Sequence, residues 1–394
     1  MRWRFHDDGL DLAERDRKIL DMDRWWLAFE QKVGDLNEMF AGGETFDLPR
    51  WMESIGDVHP DLKWEFGPAI HQLGHRLVIT PEHRYELTEL VRTFVDRAPQ
   101  IDGWEFYALR QPNDLDTAIG MVKSRTLGSL TDVRVSLSPG ENNLIDLHYL
   151  SKSPTATDDA FVATEALLGE QALNRWVGDI SAGKPGGLFG RGAPDGVPFP
   201  ELAEAFDRFR REIVGSLPAD PYHVWVGAAG RAILQLEPLK AADYAAMDDA
   251  LVASSASAEL WKASHHGIRF DSERFSRHGE TFVYVKIELS DEDPGFKNDD
   301  RADLEFALNT VLVNAQLGCV TGGVKGIRYA YVDVCLTDVD AGIQAMKTAL
   351  RASNIPRRSW ILFSDRIWAD EWVGVYDDAP APPISLPISV SDDD

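Results

Sequence analysis

Cysteine is scarce in this 394-residue chain, which has only Cys319 and Cys335. One disulfide is possible in number, but two thiols in so long a chain leave stability to its cores, not to a disulfide-rich secreted scaffold. No apolar run approaches the roughly 18 residues of a membrane span. The opening "MRWRFHDDGLDLAERDRK" also lacks the apolar stretch of a signal peptide. Basic residues are in deficit, with 40 Lys and Arg against 65 Asp and Glu and a formal net charge of −25. A field of that sign repels phosphates and anionic lipid, which makes nucleic acid and membrane surfaces poor partners. Together these absences imply a cytoplasmic protein with reduced thiols. The charge itself reads as a solvated acidic surface or as a docking face for a basic protein.

Catalytic signatures are also missing. "GCVTGGVKGIRYAYVDVCL", residues 318–336, carries four glycines and a lysine. A phosphate-cradling loop must follow a strand, open a helix and place Lys-Ser/Thr directly after its last glycine. Here Lys325 comes one residue late, Gly326 takes the Ser/Thr place, and a helix precedes the loop while a strand follows. Gly318 is better placed as the left-handed end of that helix, with Gly322, Gly323 and Gly326 turning the chain into the strand. "HQLGH" spaces His71 and His75 as zinc ligands on a helix would be spaced, yet Gln72 cannot serve as a general base and Gly74 breaks a helix. His265 and His266 have no acidic or cysteine partner at ligand spacing. Asp291 and Asp293 begin a calcium-loop pattern that Gly295 interrupts, while Asp299, Asp300 and Asp303 suit the start of a helix. There is no G-x-S-x-G elbow, and Cys319 and Cys335 lack the setting of a nucleophile. No catalytic, cofactor-binding or metal-binding residue is assigned, and no cofactor is expected.

What is present is an ordinary globular composition, 44% hydrophobic and 27% charged, with length for two or three domains. Residues 10–40 show helical periodicity around Trp25, Trp26 and Phe29, a pair of tryptophans that suits a core or a binding anchor. "KWEFGPAIHQLGHRLVIT" predicts two strands about Gly74, followed by a helix capped by Thr80 with Pro81 at its first position. Trp-Glu-Phe at Trp64 recurs at Trp104. "DVRVSLS" and "NLIDLHYLS" predict a hairpin around Asn142 and Asn143, and residues 158–177 a helix. Ten of the 18 residues in 183–200 are Gly or Pro, a linker or a long loop over a site. Beyond it come the helix "PELAEAFDRFRREIVGSL" at 200–217, strands "YHVWVGA" and "RAILQLE", and a helix at 239–254. Strand–helix–strand–helix–strand–strand alternation then runs to "EWVGVYD".

The expected fold is α+β: two α/β-sandwich-like domains with helices on one face of mixed or antiparallel sheets, the C-terminal one ferredoxin-like in style. The expected division is 1–182, a linker or loop at 183–200, 201–378, and an acidic Pro-rich tail at 379–394. Twelve tryptophans are many, and those in "DRIWADEWVGVYD" beside Asp365, Asp370, Glu371, Asp377 and Asp378 form a candidate recognition patch. Through "DLEFALNTVL", the glycines before "IRYAYVDV", and "SWILF" with "EWVGVYD", the final region of about 100 residues resembles a bacterial domain of unknown function sometimes joined to regulators of ribonuclease E. The resemblance implies an α+β sandwich and assigns no site residue. The functional expectation is a non-catalytic, acidic protein-binding protein, such as an immunity-type inhibitor or regulator of a basic partner. A hydrolase-type enzyme with a pocket near 183–200 and a scaffold self-associating through sheet edges are the alternatives.

Overall fold

The computed structural model describes residues 2–6, 9–43, 46–151, 156–184, 196–226, 230–241, 243–266, 269–290 and 295–383. The chain forms two compact units, one of Met1 and Trp3–Glu212, the other of Arg2 and Ile213–Asp394.

The first unit runs twice through one order of elements. Helix α1 (Gly9–Phe40), short helix α2 (Leu48–Met52), strands β1 (Lys63–Pro68) and β2 (His75–Thr80), helix α3 (Thr88–Asp96) and strand β3 (Trp104–Tyr107) make the first half. Helix α4 (Leu115–Thr126), strands β4 (Arg134–Pro139) and β5 (Ile145–Leu150), helix α5 (Thr157–Trp176) and strand β6 (Val177–Gly183) make the second. Each half pairs an antiparallel hairpin with a parallel return strand, giving orders β1-β2-β3 and β6-β5-β4. Strand β7 (Val197–Pro198) joins the second sheet beside β4, and α6 (Leu202–Ser216) follows. Both described flanks of the Gly/Pro-rich segment therefore lie in one sheet, and the division between units falls later, inside α6. Residues 185–195 of that segment lie outside the described residues.

Local sequence explains much of this unit. Gly74 sits at φ +137°, and a Cβ there would lie 2.0 Å from the Gly103 carbonyl oxygen, so only glycine closes the turn into β2. Asn142 and Asn143 turn the β4–β5 hairpin at φ 56° and 61°. Trp64 and Trp104 flank β2 on either side, so their shared triplet marks two strands of one sheet rather than the repeat. Trp25 and Trp26 are core, with Trp26 Nε1 donating to the Phe94 carbonyl at 2.7 Å and Trp25 Nε1 to Ser54 at 3.1 Å. The helix expected from Pro81 begins instead at Thr88. Glu82 adopts φ 50°, which no helix accommodates, and Thr80 Oγ1 accepts the Glu82 N–H at 2.9 Å.

The second unit contains helix α7 (Tyr222–Trp225), strands β8 (Ala232–Gln235) and β9 (Ala250–Ser255), helix α8 (Ala258–His266) and strand β10 (Thr281–Glu288). Helix α9 (Arg301–Asn314), strands β11 (Gly318–Gly326) and β12 (Tyr329–Leu336), helix α10 (Val339–Ala352) and strands β13 (Ser359–Phe363) and β14 (Trp372–Gly374) complete it. The order β14-β13-β10-β12-β11-β9-β8 is antiparallel throughout. Within it, β10-α9-β11-β12-α10-β13 is the ferredoxin-like βαββαβ unit. Helices α9 and α10 cover one face through Leu304, Leu308, Leu312, Ile343, Met346 and Leu350. Helices therefore do not stop at one face. Tyr222 of α7 and Leu260 and Trp261 of α8 pack on the other, against Phe282, Tyr331 and Cys335.

Two expected elements are replaced. In place of the expected strand at "YHVWVGA", Tyr222–Trp225 form one helical turn after Pro221, with the Tyr222 N–H donated to Glu280 at 2.7 Å. The expected helix at 239–254 is an irregular segment leading into β9. Its carbonyls at Tyr244, Ala245 and Ala246 accept from Lys286 Nζ, at 3.0 and 3.2 Å for the last two, so they serve that ammonium instead of a helical ladder. The tryptophans of the patch are not free: Trp368 is buried with Asp365 and Glu371, Arg2 stacks 3.7 Å over Trp372, and Asp365 accepts the Ser272 N–H at 2.6 Å, while Asp370, Asp377 and Asp378 are exposed. Trp360 donates to the Pro380 carbonyl at 2.6 Å, which fastens the start of the tail. Residues 384–394 lie outside the described residues. No helix among the described residues is long and apolar enough to cross a membrane.

Candidate functional site

The glycine-bearing stretch is strand β11 itself, hydrogen-bonded between β12 and β9. Gly318 opens the strand, and Gln316, at φ 58°, takes the left-handed place after the helix. Thr321 forms a bulge: Val320 opposes Val334, while Gly322 already opposes Asp333. A bulge re-aims the side chains that follow it. A Cβ on Gly322 would lie 2.5 Å from the Ser254 carbonyl oxygen and 3.2 Å from Asp333 Oδ2, and one on Gly323 would lie 2.1 Å from Glu305 Oε1. The two glycines point to opposite faces and clear space for a buried charge on each.

On the α9 face, Glu305 pairs with Arg301 at 3.2 Å and Arg231 at 3.6 Å. Burial pushes its carboxyl above the ordinary range, against the downward pull of both guanidinium groups. Beside this triad lies a cavity of about 440 Å³ whose walls include His223, Arg231, Glu305, Phe306, Asn309 and Cys319. Its size falls in the range of small-molecule pockets, roughly 300–1,000 Å³. Asn309 Oδ1 accepts the Val320 N–H at 3.0 Å, and His223 Nδ1 is buried without a hydrogen-bond partner among the described residues.

On the other face, His265 Nε2 meets Asp333 Oδ1 at 3.0 Å, and their side chains are only 5% and 10% exposed. Trp261 and Tyr284 pack on the imidazole with ring centroids 5.0 and 5.3 Å away. The acidic partner that short spacing could not supply to His265 thus comes from β12. Where β11 begins and β12 ends, Cys319 stands directly opposite Cys335, both buried and free. Burial, the Cys319 hydrogen bond and the Glu280 carboxylate push the Cys335 thiol up. Deeper still, Lys286 sits in its carbonyl cage, 4.2 Å from the centroid of the Tyr329 ring, and burial lowers it to about 8.

The first unit holds a second charged constellation. Arg110 faces Glu65 at 3.2 Å, Glu82 at 2.9 Å, Glu165 at 3.1 Å and Glu170 at 3.9 Å. Gly169, at φ +79°, interrupts α5 so that Glu165 and Glu170 both reach one guanidinium. Burial works against the Arg110 charge, but Glu165, Glu82, Glu170 and Glu65 outweigh it and hold the group above its ordinary value. The cluster ties α5 to the first sheet and reads as a fastening between the two halves.

The other sequence candidates stay apart. His71 is exposed in the loop before β2, where its N–H donates to Glu105 at 2.8 Å, while His75 stacks 4.6 Å from Phe40. Among the described residues no three His, Cys, Asp or Glu side chains form a metal-holding group. Asp291, Asp293 and the His266 side chain lie outside the described residues. Asp299 pairs with Lys325 at 3.3 Å. Set against protein-family models, curated proteins and solved structures, the chain matches none.

Proposed function

We propose that this chain is a non-catalytic, acidic protein-binding protein of the bacterial cytoplasm, which docks a basic protein as an immunity-type inhibitor or as a regulator of a nucleic-acid enzyme. The observation that carries the reading is where the charge lies. Eight carboxylates and four cations are buried among the described residues, so most of the acidic excess carried by the described residues rests on accessible groups. Such a field steers a basic partner and speeds encounter. Helix α1 adds apolar contacts, since Leu20 and Leu27, two turns apart on one side, are 55% and 57% exposed. The resemblance of the C-terminal region to a domain joined to ribonuclease E regulators favours the regulator form.

Affinity capture with the full chain from bacterial extract at low ionic strength tests the reading. A basic protein that elutes with salt and rebinds after purification is the expected result. Retention of no protein, or of acidic proteins only, overturns it. A hydrolase-type enzyme is the second reading, favoured by the raised Glu305 carboxyl in a cavity. It locates the pocket in the second unit rather than at residues 183–200, and it requires a turnover that Glu305→Gln abolishes.

A further inference from the structure

We propose that Cys319 and Cys335 form a dithiol modification site, oxidised to an intramolecular disulfide by a hydroperoxide that enters through the cavity beside α9. Three observations converge on it. The chain has only these two cysteines, and they are direct partners across β11 and β12. Directly opposed residues of an antiparallel pair have Cα atoms about 4.5–5.5 Å apart, inside the roughly 4.4–6.8 Å that a disulfide spans, so the strand register sets the two thiols at bonding reach. Gly318 reinforces this closeness: a Cβ there would lie 1.9 Å from the Cys335 carbonyl oxygen, an approach open only to glycine at that rung.

Access and roles differ between the two thiols. Cys319 lines the cavity, whereas Cys335 is fully enclosed beside Cys319 and the Glu280 carboxylate. Glu280 is fixed by the Tyr222 N–H at 2.7 Å and the Ser276 hydroxyl at 2.7 Å. Cys319 is thus the thiol a peroxide meets first. Its sulfur attacks the O–O bond, which breaks to give the Cys319 sulfenic acid and an alcohol, or water from hydrogen peroxide. Cys335 then attacks that sulfur, the S–S bond forms and hydroxide leaves. The Cys335 proton passes by way of the Glu280 carboxylate to the hydroxide, giving water. The two thiols lose two electrons and the peroxide gains them.

The experiment treats the reduced, folded full chain with hydrogen peroxide, then denatures, alkylates and weighs it. The expected product is a monomer lighter by two hydrogens that takes up no alkylating agent, with the peptides of Cys319 and Cys335 linked. Two alkylated cysteines after oxidation, a disulfide between chains, or Cys319 driven to sulfinic acid without a link each overturn the proposal. In Cys335→Ser a sulfenic acid at Cys319, trapped by a dimedone-type probe, is expected, and its absence from a folded variant contradicts the assigned order. Val313→Phe, which fills the cavity, should slow disulfide formation several-fold without changing the product, and an unchanged rate removes the cavity as the route. The wild-type mass measurement stands whether or not either variant folds.

Discussion

At Gly323 a methyl group would fall 2.1 Å from Glu305 Oε1 and 3.0 Å from the Tyr331 carbonyl oxygen. Gly323→Ala should therefore cost about 1–3 kcal/mol in urea unfolding, as overpacking does. Adding Glu305→Ala to it should restore part of that loss, and a silent single substitution would show that β11 and α9 are not so closely packed. Lys286 gives a pH signature. Its folded value of about 8 lies below its ordinary 10.5, because burial penalises the charge. Between those values the unfolded chain holds the proton that the folded chain has released, so this group's contribution to stability rises with pH, by at most about 1.4 kcal/mol per unit. The unfolding free energy of the parent chain minus that of Lys286→Met should climb from pH 8 to 10, and a flat difference would mean the ammonium is better solvated than its cage implies. The sequence reads these glycines as a turn leading into a strand, where the structure makes them part of strand β11 itself. Sequence alone could not assign them to a strand, because the groups they admit, Glu305 and Asp333, come from other elements. His265 and Asp333 lie 68 positions apart, beyond any spacing rule.

At the scale of elements, Arg110 holds α5 to the first sheet. Removing it leaves the buried Glu170 without a guanidinium partner and Glu165 with Arg125 alone, at 3.5 Å, so Arg110→Met should destabilise the chain by about 3–5 kcal/mol. Changing both glutamates to glutamine in the Arg110→Met background should recover much of the loss in the same urea measurement. No recovery would show that Arg110 acts through its packing rather than its charge. The elements that were legible are those whose signals are local: the hairpin at Asn142–Asn143 and the alternation that yields the ferredoxin-like order. The segment 239–249 reads as helix from its alanines, yet a buried ammonium on β10 takes its carbonyls. Glu82 ends the expected helix after Pro81 because its left-handed backbone accompanies a carboxylate that reaches Arg110. In both places a distant charge outweighs local propensity.

For the whole molecule, charge is the property that separates this chain from a neutral pair of α+β units. Several acids kept inside are engaged by backbone or guanidinium donors, as Asp249 is by the N–H groups of Arg328 and Tyr329 at 2.8 Å, while Asp333 meets the His265 imidazole. The acids outside supply the long-range field, which salt screens over about 10 Å at 0.1 M. The most direct measurement of the docking account is the association rate of the purified chain with its captured partner, followed across ionic strength. The account predicts a rate that falls steeply as salt rises while the dissociation rate changes little. An association rate indifferent to salt would contradict it.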